Sequence, residues 1–387
     1  MLHQLRVLGL LPRSAGTGNV HGCDGRVITI PGTRHAEDMH YHPRSGLLFA
    51  ACDGPQSPRF HWYPPAAHFE DPERVPTGVG RGELVVVNPK VGRQPRQLAL
   101  EGFTGAFVTQ GIDIVDDPYD PFSIYIHTIN HCPLDPVPTS GKPADRARSQ
   151  IEVFRHALGS GTARYIRSVY HPLVRTPNDL YSISPGEILV TNDHKYRSGA
   201  MRMLEDVVSH RWGPKTDLVR LGFRLDGYQQ GDVVGTIALS GLHNCNGLGH
   251  GPNGQVLLTD AAGGVLHVCS WDAYAGLGID SSIQLESTID NPSYYASKFD
   301  SEAGYVLAGL ARAYTLPRTN RDPNGLEPAI VWYVPLGGSP RILFQDDGRV
   351  LRSASTAVIV DDEHSRERWL FVTGFHAEAI VAVKIEL

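Results

Sequence analysis

Four short acidic and amide motifs are the residues most suited to chemistry in this sequence. They lie beside turns at Glu37-Asp38, Asn178-Asp179, Asn246-Gly247 and Asp290-Asn291. Taken singly, each is typical of a turn or cap, because such side chains bind the local backbone. Carboxylate and amide oxygens are also the hard ligands that Ca²⁺ prefers. Four such motifs in one chain therefore indicate a calcium site.

Other common catalytic signatures are missing. The chain contains no GxSxG elbow, no HExxH motif and no phosphate-binding P-loop. The glycine-rich run 247–251 lacks the last glycine of a dinucleotide fingerprint, and we interpret it as a turn. The five cysteines are widely spaced without a CxxC pair, which predicts neither a disulfide framework nor a zinc site.

Composition excludes further classes. The 35 Lys and Arg residues against 41 Asp and Glu give a net charge of −6, so no basic excess is available for nucleic acid. No apolar run is long enough for a membrane span or a signal peptide, and a membrane partner is not expected. The compartment stays open: secreted or endomembrane if a leader has been lost, and otherwise cytoplasmic.

Short β-favouring runs between turn clusters predict an all-β fold. The runs lie at 25–30, 46–52, 83–88, 122–129, 150–156, 162–169, 187–192, 255–260, 264–271, 305–310, 329–334, 340–344, 355–360, 368–373 and 379–385. Only the stretch 198–210 has helical spacing, so strands do not alternate with helices and a parallel βαβ sheet is disfavoured.

So many short strands favour a propeller over a sandwich. Dividing 387 residues among six blades leaves about 64 for each, enough for four strands and long loops. The run 379–385 is expected to pair with 25–30 and close the ring, which removes its open edges. We predict an N-terminal arm at 1–24 and a single six-bladed β-propeller domain at 25–387.

Together with further stretches, these motifs make the sequence 36–387 resemble the serum paraoxonase/arylesterase family. The matching stretches are Ala36-Glu37-Asp38-Met39, the run 150–156, Pro177-Asn178-Asp179-Leu180, Val190-Thr191-Asn192-Asp193-His194, Cys245-Asn246-Gly247-Leu248, Ile289-Asp290-Asn291 and Ser355-Thr356-Ala357-Val358. Their order and spacing agree with the family, and Thr-Asn-Asp-His is the most specific piece.

The resemblance implies a six-bladed propeller with two calcium ions in its central tunnel. The catalytic ion would be held by an upper set of residues: Glu37, Asn178, Asn246, Asp290 and Asn291. The structural ion would be held by a lower set: Asp38, Asp179 and the backbone carbonyl of Ile112. Two carboxylates in each set would balance each divalent ion locally, which lowers the cost of burying it.

The resemblance also implies a pair of catalytic histidines, and here this sequence departs from the family. The second histidine matches His131, but the first is replaced by Gln110, which cannot take a proton near neutral pH. A further pocket histidine of the family matches Ala311. A carboxylate such as Asp290, or a metal-activated water, is then the alternative base.

Several other residues are candidates for the substrate pocket. We expect His243 and Asn244, just before Asn246, to face it. The weaker candidates are His194, Phe375 and His376. The helical stretch 198–210 matches a family helix over the tunnel mouth, and its modest amphipathicity favours a cover for the site over a membrane anchor. The family disulfide between the termini has no counterpart, because the closing strand contains no cysteine.

The resemblance implies a calcium-dependent hydrolase of a lactone or aryl ester. The departure at Gln110 keeps a second hypothesis open, in which the same scaffold catalyses a non-hydrolytic dehydration or cyclisation, for example as a pericyclase of secondary metabolism. Either enzyme would take a small apolar, oxygenated substrate. A propeller used only for protein binding is disfavoured, because it has no need for oxygen ligands converging on its axis.

Overall fold

Six antiparallel sheets carry most of the strands of this protein. The computed structural model describes residues 2–13, 23–90, 92–207, 215–226, 232–272 and 274–387. The strands are β1 (Cys23–Ile30), β2 (Asp38–His42), β3 (Leu47–Cys52), β4 (Trp62–Tyr63), β5 (His68–Phe69), β6 (Glu83–Val87), β7 (Pro95–Gln97), β8 (Ala99–Glu101), β9 (Thr109–Asp116), β10 (Ser123–Pro133), β11 (Ala147–Ala157), β12 (Thr162–Val169), β13 (Pro177–Ser184), β14 (Glu187–Asn192), β15 (Thr216–Phe223), β16 (Val233–Leu242), β17 (Cys245–His250), β18 (Val256–Asp260), β19 (Val265–Asp272), β20 (Gly276–Gln284), β21 (Pro292–Ala296), β22 (Ala303–Leu310), β23 (Ala329–Pro335), β24 (Arg341–Asp346), β25 (Ala354–Asp362), β26 (Glu367–Gly374) and β27 (Ile380–Ile385).

Each sheet is one blade of a six-bladed β-propeller, as the sequence predicts. The blades are β2-β3-β6-β7, β9-β10-β11-β12 with β8 added in parallel, β13 to β16, β17 to β20, β21 to β24, and β25-β26-β27-β1. The innermost strands β2, β9, β13, β17, β21 and β25 contact one another in this order, and β25 contacts β2 again. These six strands therefore surround the central axis.

The ring closes through the predicted pairing of the chain ends. Strand β1 lies antiparallel to β27, with Ile30 opposite Ile380 and Val27 opposite Val383. The first strand thereby completes a sheet whose other three strands come from the C-terminus. This confirms the predicted closure of the ring, because the edge of β27 is paired with β1.

Apolar side chains hold neighbouring blades together. One buried cluster joins Val331 of β23 to Leu370 of β26 and Val381 of β27. Because strands of a propeller are covered on both faces, these segments are apolar at nearly every position, as in the run β23. Burial of this apolar area is the main force that keeps the inner strands in place.

Helices are few. They are α1 (Leu2–Val7), α2 (Ala200–Val207), α3 (Leu316–Thr319) and the 3₁₀ turns Pro64–Ala66, Pro72–Arg74, Pro143–Arg146, Pro252–Gly254 and Ala313–Thr315. Helix α2 lies within the predicted helical stretch 198–210, of which residues 208–210 are outside the described residues. No helix among the described residues is long and apolar enough to cross a membrane.

The N-terminal segment packs on the propeller. The amide of Gln4 donates a hydrogen bond of 2.9 Å to the carbonyl of Ala262, and Val7 is fully buried. The carbonyl of Val7 accepts a 3.1 Å hydrogen bond from the N–H of Thr288. Helix α1 was not expected from the sequence, because six residues are too few for a periodic pattern. The division into an arm at 1–24 and a domain at 25–387 stays a prediction.

Candidate metal centre and active site

The predicted site residues lie where the innermost strands begin. Asp38 is the first residue of β2, Asn178 is the second of β13, Asn246 is the second of β17, and Asn291 immediately precedes β21. Because equivalent ends of these strands meet at one end of the axis, residues far apart in sequence come together there. Topology thus explains why the four sequence motifs recur at blade intervals.

β-Bulges interrupt two of these strands and the innermost strand β25. The strand register shifts between Pro177 and Leu180 in β13, and between Cys245 and Leu248 in β17. The same shift follows Ala354 in β25. A bulge leaves backbone groups without ladder partners and turns side chains out of the alternating pattern.

A threonine on the second strand of each of these blades supplies the missing backbone partners. The Thr191 hydroxyl accepts a 2.9 Å hydrogen bond from the N–H of Asp179 and donates to its carbonyl. Thr259 relates in the same way to Gly247, accepting from its N–H at 2.8 Å. Thr373 accepts from the N–H of Thr356 at 3.1 Å. From the sequence, this role was assigned to none of the three threonines.

Oxygen atoms of the upper set are buried without hydrogen-bond donors. Within the described residues, no donor reaches the following buried oxygens: Glu37 Oε2, Asn178 Oδ1, Asn246 Oδ1, Asp290 Oδ1 and Asn291 Oδ1. A buried acceptor without a partner normally costs free energy, so such atoms are rare. Here the five oxygens lie on the five residues of the predicted upper set. A bound cation that takes oxygen ligands would supply the partner that these atoms lack.

The backbone and amide groups beside these oxygens are firmly held. The Asn291 side-chain N–H groups donate to Glu37 Oε1 at 3.3 Å and to the Thr356 hydroxyl at 3.0 Å, so its oxygen points away from them. The Glu37 carbonyl accepts from the hydroxyls of Ser355 and Thr373. Both side chains are therefore positioned before any ion binds.

Negative charge is concentrated at the axis. The pKa values of Glu37, Asp179 and Asp290 are raised well above their ordinary range. Burial is the larger cause, and the charges of neighbouring carboxylates are the second. Among the described residues, no group of three or more His, Cys, Asp or Glu side chains is arranged to hold a metal. A metal ion at this position would need amide oxygens beside the carboxylates, and such a ligand set suits Ca²⁺ better than a soft metal.

The lower set is bonded differently. Asp38 and Asp179 are fully buried, and their oxygens accept hydrogen bonds from backbone N–H groups. His40 lies beside Asp38 and Asp113; burial alone would lower its pKa, but these two carboxylates raise it to about 9. The carboxylate oxygens of the lower set thus already have partners within the chain.

Gln110 and His131 form a direct pair. Gln110 Oε1 lies 2.5 Å from His131 Nε2, and the Ser149 hydroxyl lies 2.8 Å from His131 Nδ1. Because a carbonyl oxygen only accepts, Nε2 carries the proton in this arrangement, and Nδ1 of the neutral ring accepts from Ser149. Burial, reinforced by the charge of Arg197, lowers the pKa of His131 to about 3. The ring is thus neutral near pH 7.

A cavity lies beside this pair. It is lined by Pro64, Pro65, Phe69, His131, Ser149, Arg175, Thr176, Pro177, Asp193, Arg197 and Arg202. Arg175 is paired with Asp217 at 2.6 Å. Arg197 donates to the Ala147 carbonyl at 3.0 Å, and among the described residues it forms no ion pair. The cavity therefore combines an apolar wall with positive charge.

The predicted pocket residues divide into two groups. His243 lies 3.1 Å from Asp260, and the Asn244 amide donates to the carbonyl of Asp193, a residue of the cavity wall. His194 lies 3.0 Å from the Asp193 carboxylate. Asn244 and His194 thus contact Asp193 of the cavity wall, but none of the three residues is part of the described lining.

His376 belongs to a separate buried cluster, and the half-buried Phe375 contacts its ring. His376 stacks on Phe60 with 5.0 Å between ring centroids, and its Nδ1 lies 3.9 Å from Glu327. Burial lowers the pKa of His376 to about 4. Glu327 in turn accepts two hydrogen bonds from Arg352, at 2.6 and 2.8 Å. Neither predicted residue lines the described cavity.

A long insertion between β3 and β6 covers the site, and its anchor was missed from the sequence. Arg59 is fully buried and donates two 2.8 Å hydrogen bonds to Asp53. It also donates to the carbonyl of Thr109, next to Gln110, and stacks over Tyr63 at 4.0 Å. The ion pair holds Arg59 in place, and the hydrogen bond to Thr109 connects the covering insertion with the strand that carries Gln110.

Known structures and sequences provide comparisons. The fold is similar to the PQQ-bound aldose sugar dehydrogenase of Streptomyces coelicolor, with 12% identity, 94% of this chain and 99% of that chain covered, and a TM-score of 0.48. It is also similar to the periplasmic gluconolactonase of Pseudomonas aeruginosa, with 10% identity, 90% and 88% covered, and a TM-score of 0.41. No family model matches the sequence.

Relatives among characterised proteins share one family. The chain is 24% identical over 301 residues to serum paraoxonase/lactonase 3 of Homo sapiens, covering 74% of each protein. It is 23% identical over 336 residues to serum paraoxonase/arylesterase 2 of Bos taurus, covering 84% of this chain and 81% of the relative. Repeated over most of the chain, these matches confirm that this protein resembles the serum paraoxonase/arylesterase family.

Proposed function

We propose that this protein is a calcium-dependent hydrolase of a lactone or an aryl ester. The observation that carries the proposal is the set of five buried oxygens without donors on Glu37, Asn178, Asn246, Asp290 and Asn291. The names of the relatives, which include arylesterase and lactonase, support a hydrolase acting on a small molecule.

The upper set would hold one calcium ion through its side-chain oxygens. When bound, Ca²⁺ supplies a Lewis acid that polarises a carbonyl oxygen and stabilises the negative charge that develops on it. The protein's own part is orientation: the hydroxyls on the Glu37 carbonyl and the anchored amide of Asn291 keep the oxygens in place. Such preorganisation favours the transition state, because no further rearrangement is needed.

His131 and Asp290 are our two candidates for the group that accepts a proton from water. His131 is neutral, but its Nδ1 already faces Ser149 and its Nε2 faces Gln110. We therefore assign His131 an orienting role at the cavity wall. Because Asp290 Oδ1 is one of the oxygens assigned to the ion, we propose that the other carboxylate oxygen of Asp290 accepts a proton from water.

The pairing of Gln110 with His131 also favours a second candidate function. Neither Gln110 nor His131 is placed to take a proton from water, because they are hydrogen-bonded to each other and His131 also to Ser149. Such a pair suits a non-hydrolytic reaction, such as dehydration or cyclisation of an oxygenated natural product. There the cavity would act by orienting the substrate and excluding solvent.

A substrate panel with and without metal separates the two functions. Purified protein is assayed against lactones and phenyl esters, before and after EDTA treatment and Ca²⁺ restoration. A hydrolase loses activity with EDTA and regains it with Ca²⁺, and Asn246→Ala removes it. As a matched control, Asn253→Ala changes an amide on an outer turn and leaves turnover intact. Inactivity across the panel in the presence of Ca²⁺ would contradict hydrolysis.

A further inference from the structure

The two predicted calcium sites differ in the number of hydrogen bonds that their oxygens already accept. Asp38 Oδ1 accepts from the N–H of Met39 and the hydroxyl of Thr356, both at 2.7 Å. Its Oδ2 accepts from the N–H of Ile112 and from His40 Nε2, both at 3.1 Å. A carboxylate offers about four lone-pair positions, so Asp38 has no capacity left for a cation.

Asp179, the second carboxylate of the lower set, also accepts hydrogen bonds from the backbone. Asp179 Oδ1 accepts a 2.7 Å hydrogen bond from the N–H of Leu180, and its Oδ2 accepts one of 2.6 Å from Leu248. Gly111 packs so tightly here that a Cβ on it would lie 2.5 Å from Asp179 Oδ1. None of the four carboxylate oxygens is left without a donor, in contrast to the five oxygens of the upper set.

The ring of His40 lies against the carboxylate of Asp38, with His40 Nε2 3.1 Å from Asp38 Oδ2. While Nε2 of His40 contacts Asp38, its Nδ1 lies 3.4 Å from Asp113. Asp113 also lies 2.9 Å from His250 Nε2 and accepts from the N–H of Ser182 at 2.6 Å. The residues His40, Asp113 and His250 thus form a network that joins three blades across the axis, the role expected of a structural ion.

We propose that this protein binds one calcium ion, at the upper set, and that the network of Asp38, His40, Asp113 and His250 takes the place of the second ion. The proposal rests on the proposed function only in assuming that the upper set holds calcium. It predicts a different metal content from the two ions that the family resemblance implies.

Counting bound metal tests this without any substrate. The full-length protein is saturated with Ca²⁺, separated from free ion by gel filtration, and measured by native mass spectrometry and by elemental analysis. We expect one calcium per chain. Two ions would overturn the inference while leaving the proposed function intact, whereas no bound ion would overturn both.

Paired variants locate the ion. Asn178→Ala should reduce the count from one to zero, because it removes a ligand of the upper set. Asp179→Asn is the matched change at the adjacent residue, and it should leave the count at one. Should Asp179→Asn fail to fold, His40→Gln serves instead, since it keeps a donor near Asp38 and should also retain one ion. Loss of one ion out of two in either variant would contradict the proposal.

Discussion

The side-chain carbonyl of Gln110 lies 2.5 Å from Nε2 of His131, so these two residues act as one hydrogen-bonded unit at the wall of the cavity. The contact directs the ring proton to Nε2 and leaves Nδ1 to the Ser149 hydroxyl. A proton acceptor facing the substrate is thereby absent from this pair.

Replacing Gln110 by histidine should create such an acceptor. We expect Gln110→His to raise kcat for phenyl acetate about tenfold or more, since a placed general base contributes roughly 10²–10⁴-fold. Steady-state kinetics at pH 8 measure the effect. Gln110→Asn, which is polar but not basic, is the control and should give no gain. An unchanged kcat in Gln110→His would show that this position does not reach the reacting atoms.

The pH profile of kcat/KM should lack the titration step of a histidine with an ordinary pKa. His131 has a pKa lowered to about 3 by burial, instead of 6.5, so it stays neutral as the pH falls through the mildly acidic range. We therefore expect kcat/KM to show no loss with a midpoint near 6.5. A midpoint there that disappears in His131→Gln would contradict the assignment. The same shift weakens folding below pH 6.5, because only the unfolded chain binds that proton.

The threonines behind the bulges should affect both stability and metal binding. Thr259→Val keeps the shape but removes the partner of the Gly247 N–H, which lies 2.8 Å from the hydroxyl. An unpaired buried N–H costs about 1–3 kcal/mol in the free energy of unfolding. Denaturant unfolding and Ca²⁺ titration measure the two effects. Thr259→Ser restores the hydroxyl and should recover both, and equal losses in Val and Ser would argue against the hydrogen bond.

The fold and the axial oxygens were predictable because they leave local signals. Short strands and turns indicate a propeller, the family resemblance implies its six blades, and each acidic or amide motif precedes or opens an innermost strand. The sequence Thr191-Asn192-Asp193-His194 was recognised only for its resemblance to the family. Its threonine has counterparts at Thr259 and Thr373, and a search for threonine at the end of each second strand could have found them.

Other parts of the site depend on contacts between blades, which local patterns do not encode. His40 and Asp113 come from different innermost strands, and their 3.4 Å contact depends on how β2 and β9 are offset along the axis. The position of His376 likewise follows from its stacking on Phe60, a residue of the covering insertion. Nearness to the closing strand in sequence was therefore a poor guide to the cavity.

The ion pair beneath the covering insertion should be important for stability. Asp53 and Arg59 are both buried, and the charge of Arg59 holds the pKa of Asp53 well below its usual range in spite of burial. Asp53→Ala leaves the guanidinium buried and unpaired, so we expect a loss of about 3–5 kcal/mol in the free energy of unfolding. Asp226→Ala breaks an exposed pair with Arg224 and should leave the denaturation midpoint unchanged. Similar midpoints for both variants would contradict this view.

Arg197 should select substrates that carry a negative charge. Its guanidinium lines the cavity beside His131 without an ion pair among the described residues, and one charge-assisted hydrogen bond to a carboxylate contributes roughly 1.5–3 kcal/mol. Arg197→Gln should therefore raise KM about tenfold or more for a lactone with a carboxylate substituent, and leave KM for its methyl ester unchanged. Arg197→Lys keeps the charge and should recover part of the affinity, whereas Arg224→Gln, an exposed change outside the cavity lining, should alter neither KM. Equal KM values for acid and methyl ester in the wild-type protein would show that Arg197 faces solvent rather than substrate.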